Sequence, residues 1–446
     1  MRRLLEQWSR PAVREIVTWA LPPLERRLSD AVDDQQLRGD DLVERGAMWI
    51  AETVKDFRRQ AVAGEVTALD VSEPTLAAAR EALWAELFGL GRLQPLLDDP
   101  CVQDIHVNGH DRVFAVLDDG TREQLPAVAD SDDALIERFQ LVASRHGETP
   151  RSWDRANPTL DLQLRSGHRL SAVMVVSDRP SITIRRPTTT LHRLAELVAV
   201  GALSDELTRF LTAAVRARLN LVVAGGQGAG KTTLMRALLN EVPASERIVT
   251  AEDARELQLA EAIDANGQLL HPDLVSLETR SSNSEAAGLF TLADCLRLTK
   301  RMNPDRVVVG EVRDVEAEQM VDAMLGSTGG SMCTVHATSA HKAIGRLRAL
   351  MIRTGQLGER AAMELLTDAV DLVIFQAQDP SSGARFVSEV AEVSMAEGQA
   401  TFHDVFVPGS DGRATLRAGG LSHRLVQRLA PYGFVPASAS NGQVIR

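Results

Sequence analysis

The spacing of apolar side chains changes along this chain, and each change marks a different kind of element. Over residues 1–75, Leu42, Met48, Trp49, Ile50, Val54 and Phe57 recur at helical intervals among charges of both signs, which predicts a helical extension. Trp8, Trp19 and Trp49 supply large faces for packing one helix on another. Gly64 and the run Ser72-Glu73-Pro74 interrupt the pattern, so a boundary is expected over residues 61–74. Residues 75–84 then resume a helix. Beyond them β-formers gather over residues 102–107, 112–117, 168–176 and 181–185, between the turn pairs Asn108-Gly109, Asp119-Gly120 and Ser166-Gly167. One helix is expected among them, over residues 133–145. Residues 76–189 thus read as a small α/β domain, with residues 187–190 as the linker that closes it.

The second half carries short continuous apolar runs, the pattern of strands buried on both faces of a parallel sheet. They occupy residues 221–224, 247–251, 307–309 and 332–335. Helices are expected over residues 233–240 and 314–325, the latter turning Met320, Ala323 and Met324 to a core. Residues 386–407 read as a peripheral sheet, and residues 431–446, rich in serine, glycine and proline, as a loosely ordered tail. The expected fold class is therefore α/β. A domain over residues 190–430, mainly a parallel sheet with helices on both faces, follows the small domain and the helical extension.

Ligands of such sheets sit at the carboxyl ends of the strands, and each apolar run ends in residues suited to phosphate chemistry. The first enters Gly225, Gly226, Gln227, Gly228, Ala229, Gly230, Lys231 and Thr232, and a helix leads away from Thr233. This is the strand, loop and helix of a P-loop, which points to bound ATP with Mg²⁺. The glycines let backbone N–H groups face the phosphates at the positive end of the helix. Lys231 would neutralise the β- and γ-phosphates, and the Thr232 hydroxyl would ligate the metal. The other runs end at Glu252 and Asp253, at Glu311 beyond Gly310, and at His336. Glu311 suits the second Walker position, fixing waters of the metal, and Glu252 suits holding the attacking water. Which carboxylate does which job stays open at this point. Arg297, Arg301, Arg306 and Arg313 flank the third run and are read as solvating helix ends or pairing with nearby acids.

Composition limits the classes of function. A chain of 446 residues suggests about two or three domains. Hydrophobic residues at 44% and charged residues at 25% are ordinary for a globular protein. No run of eighteen apolar residues exists. Charges at Arg10, Arg14 and Glu15 leave no apolar core for a signal peptide. Cys101, Cys295 and Cys333 lie far apart, which suits a reduced cytosolic compartment. A net charge of −12 argues against a nucleic-acid motor, and no stable nucleic-acid partner is expected.

Four boxes in order resemble those of the secretion ATPase superfamily, which powers type II secretion, type IV pili and type IV secretion. They are the loop at residues 225–232, the acidic box Thr-Ala-Glu-Asp-Ala-Arg-Glu-Leu at 250–257, the atypical Walker B segment at 301–313, and the histidine box Thr-Val-His-Ala-Thr-Ser at 334–339. Leu277-Glu278-Thr279-Arg280 is similar to a further family segment. Within the superfamily the chain resembles the CpaF/TadA type, which drives assembly of tight-adherence (Flp) pili. The resemblance covers residues 80–410. It implies a RecA-like P-loop domain, ATP hydrolysis and a homo-hexamer. It also implies inner-membrane platform proteins as partners, and a cytoplasmic protein peripherally associated with the inner face of the membrane. By the same resemblance His336 belongs to the catalytic set, and Arg169 and Arg185 are candidates to contact nucleotide. One departure stands out: Thr328 falls where the family usually carries the first histidine of its histidine box. A type IV secretion traffic ATPase, an ATP-binding assembly scaffold and a RecA-like nucleic-acid translocase are the alternative readings, the last disfavoured by the acidic charge.

Overall fold

In the computed structural model residues 6–435 are described, apart from residues 9, 34–38, 146–151, 165, 187–192, 265, 281–287, 327–328 and 397–398. The linker expected at residues 187–190 and the departure at Thr328 therefore lie outside the described residues. Two units divide the chain, Met1–Thr188 and Thr189–Ser282 with Ala286–Arg446. No helix among the described residues is long and apolar enough to cross a membrane.

The first unit opens with helices α1 (Pro11–Asp33), α2 (Gly39–Val62) and α3 (Glu73–Phe88), which bury Ile16, Leu24, Val54, Phe57, Leu76 and Leu83 in one core. Trp8 and Trp49 join that core, and Trp19 sets its ring edge-on to Phe57 at 5.2 Å. Met48 does not share the stripe. It is 51% exposed, because Trp49 and Ile50 already occupy the inward arc of the helix. The run Ser72-Glu73-Pro74 is a helix start rather than a domain edge. Ser72 takes the N-cap position and Pro74 sits in the first turn, where its missing N–H has no partner to lose. α3 is consequently the third member of the helical core and does not belong to the sheet that follows.

That sheet is antiparallel and six-stranded. Its strands are β1 (Val102–Asn108), β2 (Val113–Leu117), β3 (Arg122–Leu125), β4 (Thr159–Gln163), β5 (Arg169–Val173) and β6 (Ser181–Arg185), in the order β3-β2-β1-β6-β5-β4. Inward residues alternate with outward ones, as Leu160 and Leu162 do on β4. Helix α4 (Gln94–Asp98) adds Leu96 and Leu97 to the sheet's core, and α5 (Asp132–Arg145) adds Leu135 and Phe139. β5 is shorter than the apolar run over 168–176 suggested. Val175 turns to a positive φ of 69° and ends the pleat.

The second unit begins with helices α6 (Leu194–Ala199) and α7 (Asp205–Arg216), the latter capped by the Ser204 hydroxyl accepting from the Leu207 N–H at 3.2 Å. Strand β7 (Leu221–Gly225) follows, then helix α8 (Lys231–Leu239), β8 (Ile248–Glu252) and β9 (Leu274–Glu278). Helix α9 (Leu292–Thr299), strand β10 (Arg306–Val312), helix α10 (Glu316–Gly326) and β11 (Met332–His336) come next. Helices α11 (Ala340–Met351) and α12 (Glu359–Ala369) lead to β12 (Leu372–Gln378). The unit closes with β13 (Arg385–Ala396), β14 (Gln399–Pro408), β15 (Ala414–Leu416) and helix α13 (His423–Leu429).

One nine-stranded sheet holds these strands, in the order β15-β14-β13-β12-β7-β11-β10-β8-β9. β12 to β9 are parallel to one another, and β13 to β15 extend the sheet with antiparallel partners. Counted from the P-loop strand, the parallel core runs β12, β7, β11, β10, β8, which is the RecA-like order. Leu221 and Val223 enter the core on one face, and Val222 and Ala224 the core on the other, which explains why these strands read as continuous apolar runs. β7 meets both neighbours in one register: Leu221 lies opposite Met332 and Leu372, and Gly225 opposite His336 and Gln376. Residues 386–407 are thus no separate peripheral sheet but the continuation of the main one. Nor does order end at residue 431. Phe434 is buried, its ring edge-on to Phe210 at 5.2 Å. Aromatic burial of this kind outweighs the flexible composition around it.

Candidate nucleotide site

The five parallel core strands end on the same edge, and the P-loop leaves that edge from β7, between β12 and β11. Gly228 and Gly230 adopt φ of 73° and 91°, a left-handed curl that side chains resist. Gly226, Gln227 and Gly228 face solvent, and Ala229 is buried. α8 starts at Lys231, so its free N–H groups open into the loop. Thr232 and Thr233 occupy its first turn, both half-buried.

Lys231 is 7% exposed, and burial holds its amine below the ordinary lysine value. Its Nζ donates to the Gly226 carbonyl at 2.9 Å and stands 3.3 Å from His336 Nδ1. An ammonium only donates, so that contact makes Nδ1 the acceptor and leaves Nε2 to carry the proton of a neutral imidazole. Nε2 lies 2.6 Å from Glu311 Oε1, though outside hydrogen-bond alignment. Desolvation, then the charge of Lys231, keeps the imidazole below its usual value. Glu311 Oε2 accepts from Arg313 Nη2 at 2.6 Å, and Arg313 Nη1 reaches Asp253 at 3.3 Å. The Gly310 carbonyl accepts from the Thr334 hydroxyl at 2.6 Å, which ties β10 to β11 just before both strands deliver these side chains. Lys231, His336, Glu311 and Arg313 therefore form one connected cluster against the P-loop.

Glu252 also fastens the backbone of the acidic box. It is 3% exposed, and its Oε1 accepts from the backbone N–H groups of Glu256 and Leu257, each at 3.0 Å. Burial pushes its carboxyl up to about 7. Through these two contacts the side chain holds the loop after β8. The loop it holds presents Glu256, whose Oε2 accepts from the Thr232 hydroxyl at 3.3 Å. From α8, Arg236 also donates to the Glu256 carbonyl. Attention to strand ends passed over Glu256, since it stands four residues beyond one. The acidic box of residues 250–257 did contain it.

The Thr232 hydroxyl and the Glu256 carboxylate beside it offer the hard oxygen donors that Mg²⁺ prefers. The residues present therefore fit the metal. Arg169 and Arg185 belong to the first unit, where β5 and β6 place them directly opposite each other. Arg185 Nε donates to Asp104 at 2.7 Å on the next strand. Of the arginines around β10, Arg306 is not a surface charge. It is fully buried, with Nε donating to Glu246 at 2.6 Å and Nη2 to the Val215 carbonyl at 2.9 Å.

Comparison with known proteins gives the family. Residues 100–417 match the family described as type II/IV secretion system protein. A Mycobacterium tuberculosis protein whose name assigns it to conjugal transfer is 36% identical over 331 residues, covering 71% of this chain and 88% of that protein. The type IV secretion system protein VirB11 of Brucella suis is 30% identical over 314 residues, covering 64% of this chain and 83% of its own length. A solved structure of the Brucella suis VirB11 ATPase, in complex with sulphate, covers 67% of this chain and 92% of that chain at 28% identity, with a TM-score of 0.35. On its matched length and its relatives, the chain belongs to the type II/IV secretion system protein family.

Proposed function

We propose that the protein is a magnesium-dependent ATP hydrolase whose turnover drives a type IV secretion or conjugation machine. The observation that carries this reading is the cluster of Lys231, His336 and Glu311 against the P-loop, with Thr232 tied to Glu256 beside it. The loop N–H groups and Lys231 bind the triphosphate and spread its charge. Thr232 would hold the Mg²⁺ ion, with Glu311 accepting from the ion's waters, and the chemistry the ion supplies is charge neutralisation on the β- and γ-phosphates. Glu256 orients the attacking water, the part that the strand-end argument gave to Glu252. Glu252 fixes the loop that carries it.

Turnover and nucleotide binding of four purified variants test these roles. Lys231→Ala is expected to lose nucleotide binding. Glu256→Gln and Glu311→Gln keep binding and lose hydrolysis by about 10²-fold or more, since each removes basicity and charge but not shape. Glu252→Gln keeps measurable hydrolysis. Normal turnover by Lys231→Ala sinks the nucleotide site, and normal turnover by Glu256→Gln with none from Glu252→Gln reverses the two glutamates.

The relatives named for conjugal transfer and type IV secretion support the machine proposed. The ordered boxes favour a second reading, assembly of a tight-adherence pilus. Deleting the gene separates the two, through loss of DNA or protein transfer in one case and of surface fibres in the other. In both readings the protein works as a homo-hexamer docked on inner-membrane platform proteins at the cytoplasmic face. Sedimentation with a non-hydrolysable ATP analogue tests the ring, and a monomer at every concentration overturns it.

A further inference from the structure

Beside the P-loop, β12 runs on into a hairpin, residues 379–384, whose flanking side chains close on the loop's glycines. A Cβ on Gly225 would lie 2.5 Å from the Gln376 carbonyl oxygen. A Cβ on Gly230 would lie 3.0 Å from Gln376 Nε2 and 3.3 Å from Arg385 Cδ. One on Gly228 would lie 4.0 Å from Gln378 Oε1. The hairpin is held firmly. The Asp379 carboxylate accepts from the Ser381 and Ser382 hydroxyls at 2.7 and 2.9 Å, and its N–H donates to the Ala384 carbonyl at 2.8 Å.

Two groups on this wall lack partners among the described residues. Gln376 is only 4% exposed, yet its Oε1 accepts no hydrogen bond. Arg385 is exposed, and no carboxylate or carbonyl among the described residues holds its guanidinium. A buried amide oxygen without a donor is uncommon in a folded protein, and here a donor-rich side chain stands beside it. Both converge on Gly230, the residue whose backbone leads into Lys231.

We infer that Arg385 binds the phosphate chain of the nucleotide from within the P-loop unit, and that Gln376 positions it by accepting from its guanidinium. The inference rests on the nucleotide reading of the P-loop. Arg385 Cδ is already at the loop, so the guanidinium beyond it reaches the oxygens that Lys231 faces. Its planar fork can give two N–H groups to phosphate while a third is held by Gln376 Oε1. Lysine has donors but lacks that fixed planar fork, so it cannot hold phosphate bidentately and Gln376 at once. Arg385 is thus a binding residue, and Gln376 a positioning residue that acts through it.

The test measures affinity of the full-length protein for MgATP and for magnesium tripolyphosphate, which has no base or sugar. Arg385→Gln is expected to weaken both by about tenfold, the size of one lost charge-assisted contact. Arg385→Lys should recover only part of that loss. Gln376→Leu should weaken both ligands in the wild-type background and add nothing to Arg385→Gln, because the two act as one unit. Equal affinities for wild type and Arg385→Gln, with binding abolished by Lys231→Ala, overturn the inference and leave the P-loop reading intact. A loss confined to ATP also overturns it, because the contact would then be with base or sugar. No binding by the wild type removes both the reading and the inference. Since Gln376 is buried, melting curves accompany its variant. Additive losses from the two substitutions overturn the positioning role even if that variant is less stable.

Discussion

Lys231 and Glu252 show how burial acts on single residues. Both are nearly enclosed, and in both burial disfavours the charged form, yet the remedies differ. Lys231 keeps a carbonyl and an imidazole within reach and stays directed at the cleft. Glu252 accepts two backbone N–H groups. Its carboxyl rises from 4.5 to about 7 on folding, so between those values the folded chain binds the extra proton. Stability from this group is therefore full below about pH 4.5 and is lost as the pH climbs through about 7. Melting wild type and Glu252→Gln across that window should show a decline with pH in the wild type and a flatter curve in the variant. Equal slopes would remove the account of Glu252 as an enclosed, proton-binding holder.

At the scale of elements, what the sequence revealed followed from how strongly each pattern was constrained. Parallel strands buried on both faces carry mostly apolar residues, so β7, β8, β10 and β11 were legible to within a few residues. β9 escaped, because its residues are only half-buried at the sheet edge and do not form an apolar run. β3, with Arg122, Glu123 and Gln124, escaped for the same reason. Likewise the P-loop was legible, since its glycines and lysine stand in one short stretch. Glu256 was not, because its partner Thr232 is adjacent only in space. Arg306 does pair with an acid, but its burial was not legible, because its partner Glu246 lies sixty residues away. Arg306→Met should lower stability by about 3 kcal/mol, since it removes the buried partner of Glu246 and leaves that carboxylate the longer Arg218 contact at 3.4 Å, measurable by denaturant unfolding. Phe434→Ala should lower it by about 3 kcal/mol, because the ring fills a site against Phe210 that the surrounding core cannot collapse into. A loss below about 0.5 kcal/mol in the latter would mean residues 430–435 do not belong to the core.

For the whole molecule, the separate cores of the two units predict a thermal unfolding trace with more than one transition. A non-hydrolysable ATP analogue with Mg²⁺ should raise the transition of the P-loop unit, by about 3 kcal/mol of added stability at a hundredfold excess over Kd. A single transition that ignores the analogue would contradict both the division and the site. The shared register of β7 with its two neighbours has a mechanical consequence. Gly225, His336 and Gln376 form one transverse row at the strand ends, and Gln376 belongs to a strand that continues the sheet into β13, β14 and β15. A pull along β12 loads its hydrogen bonds to β7 in shear, all together, whereas peeling would break them one after another. Load applied at the antiparallel edge is thus borne by a stiff plate. Any shift of that plate moves the P-loop, the histidine and the hairpin wall in step.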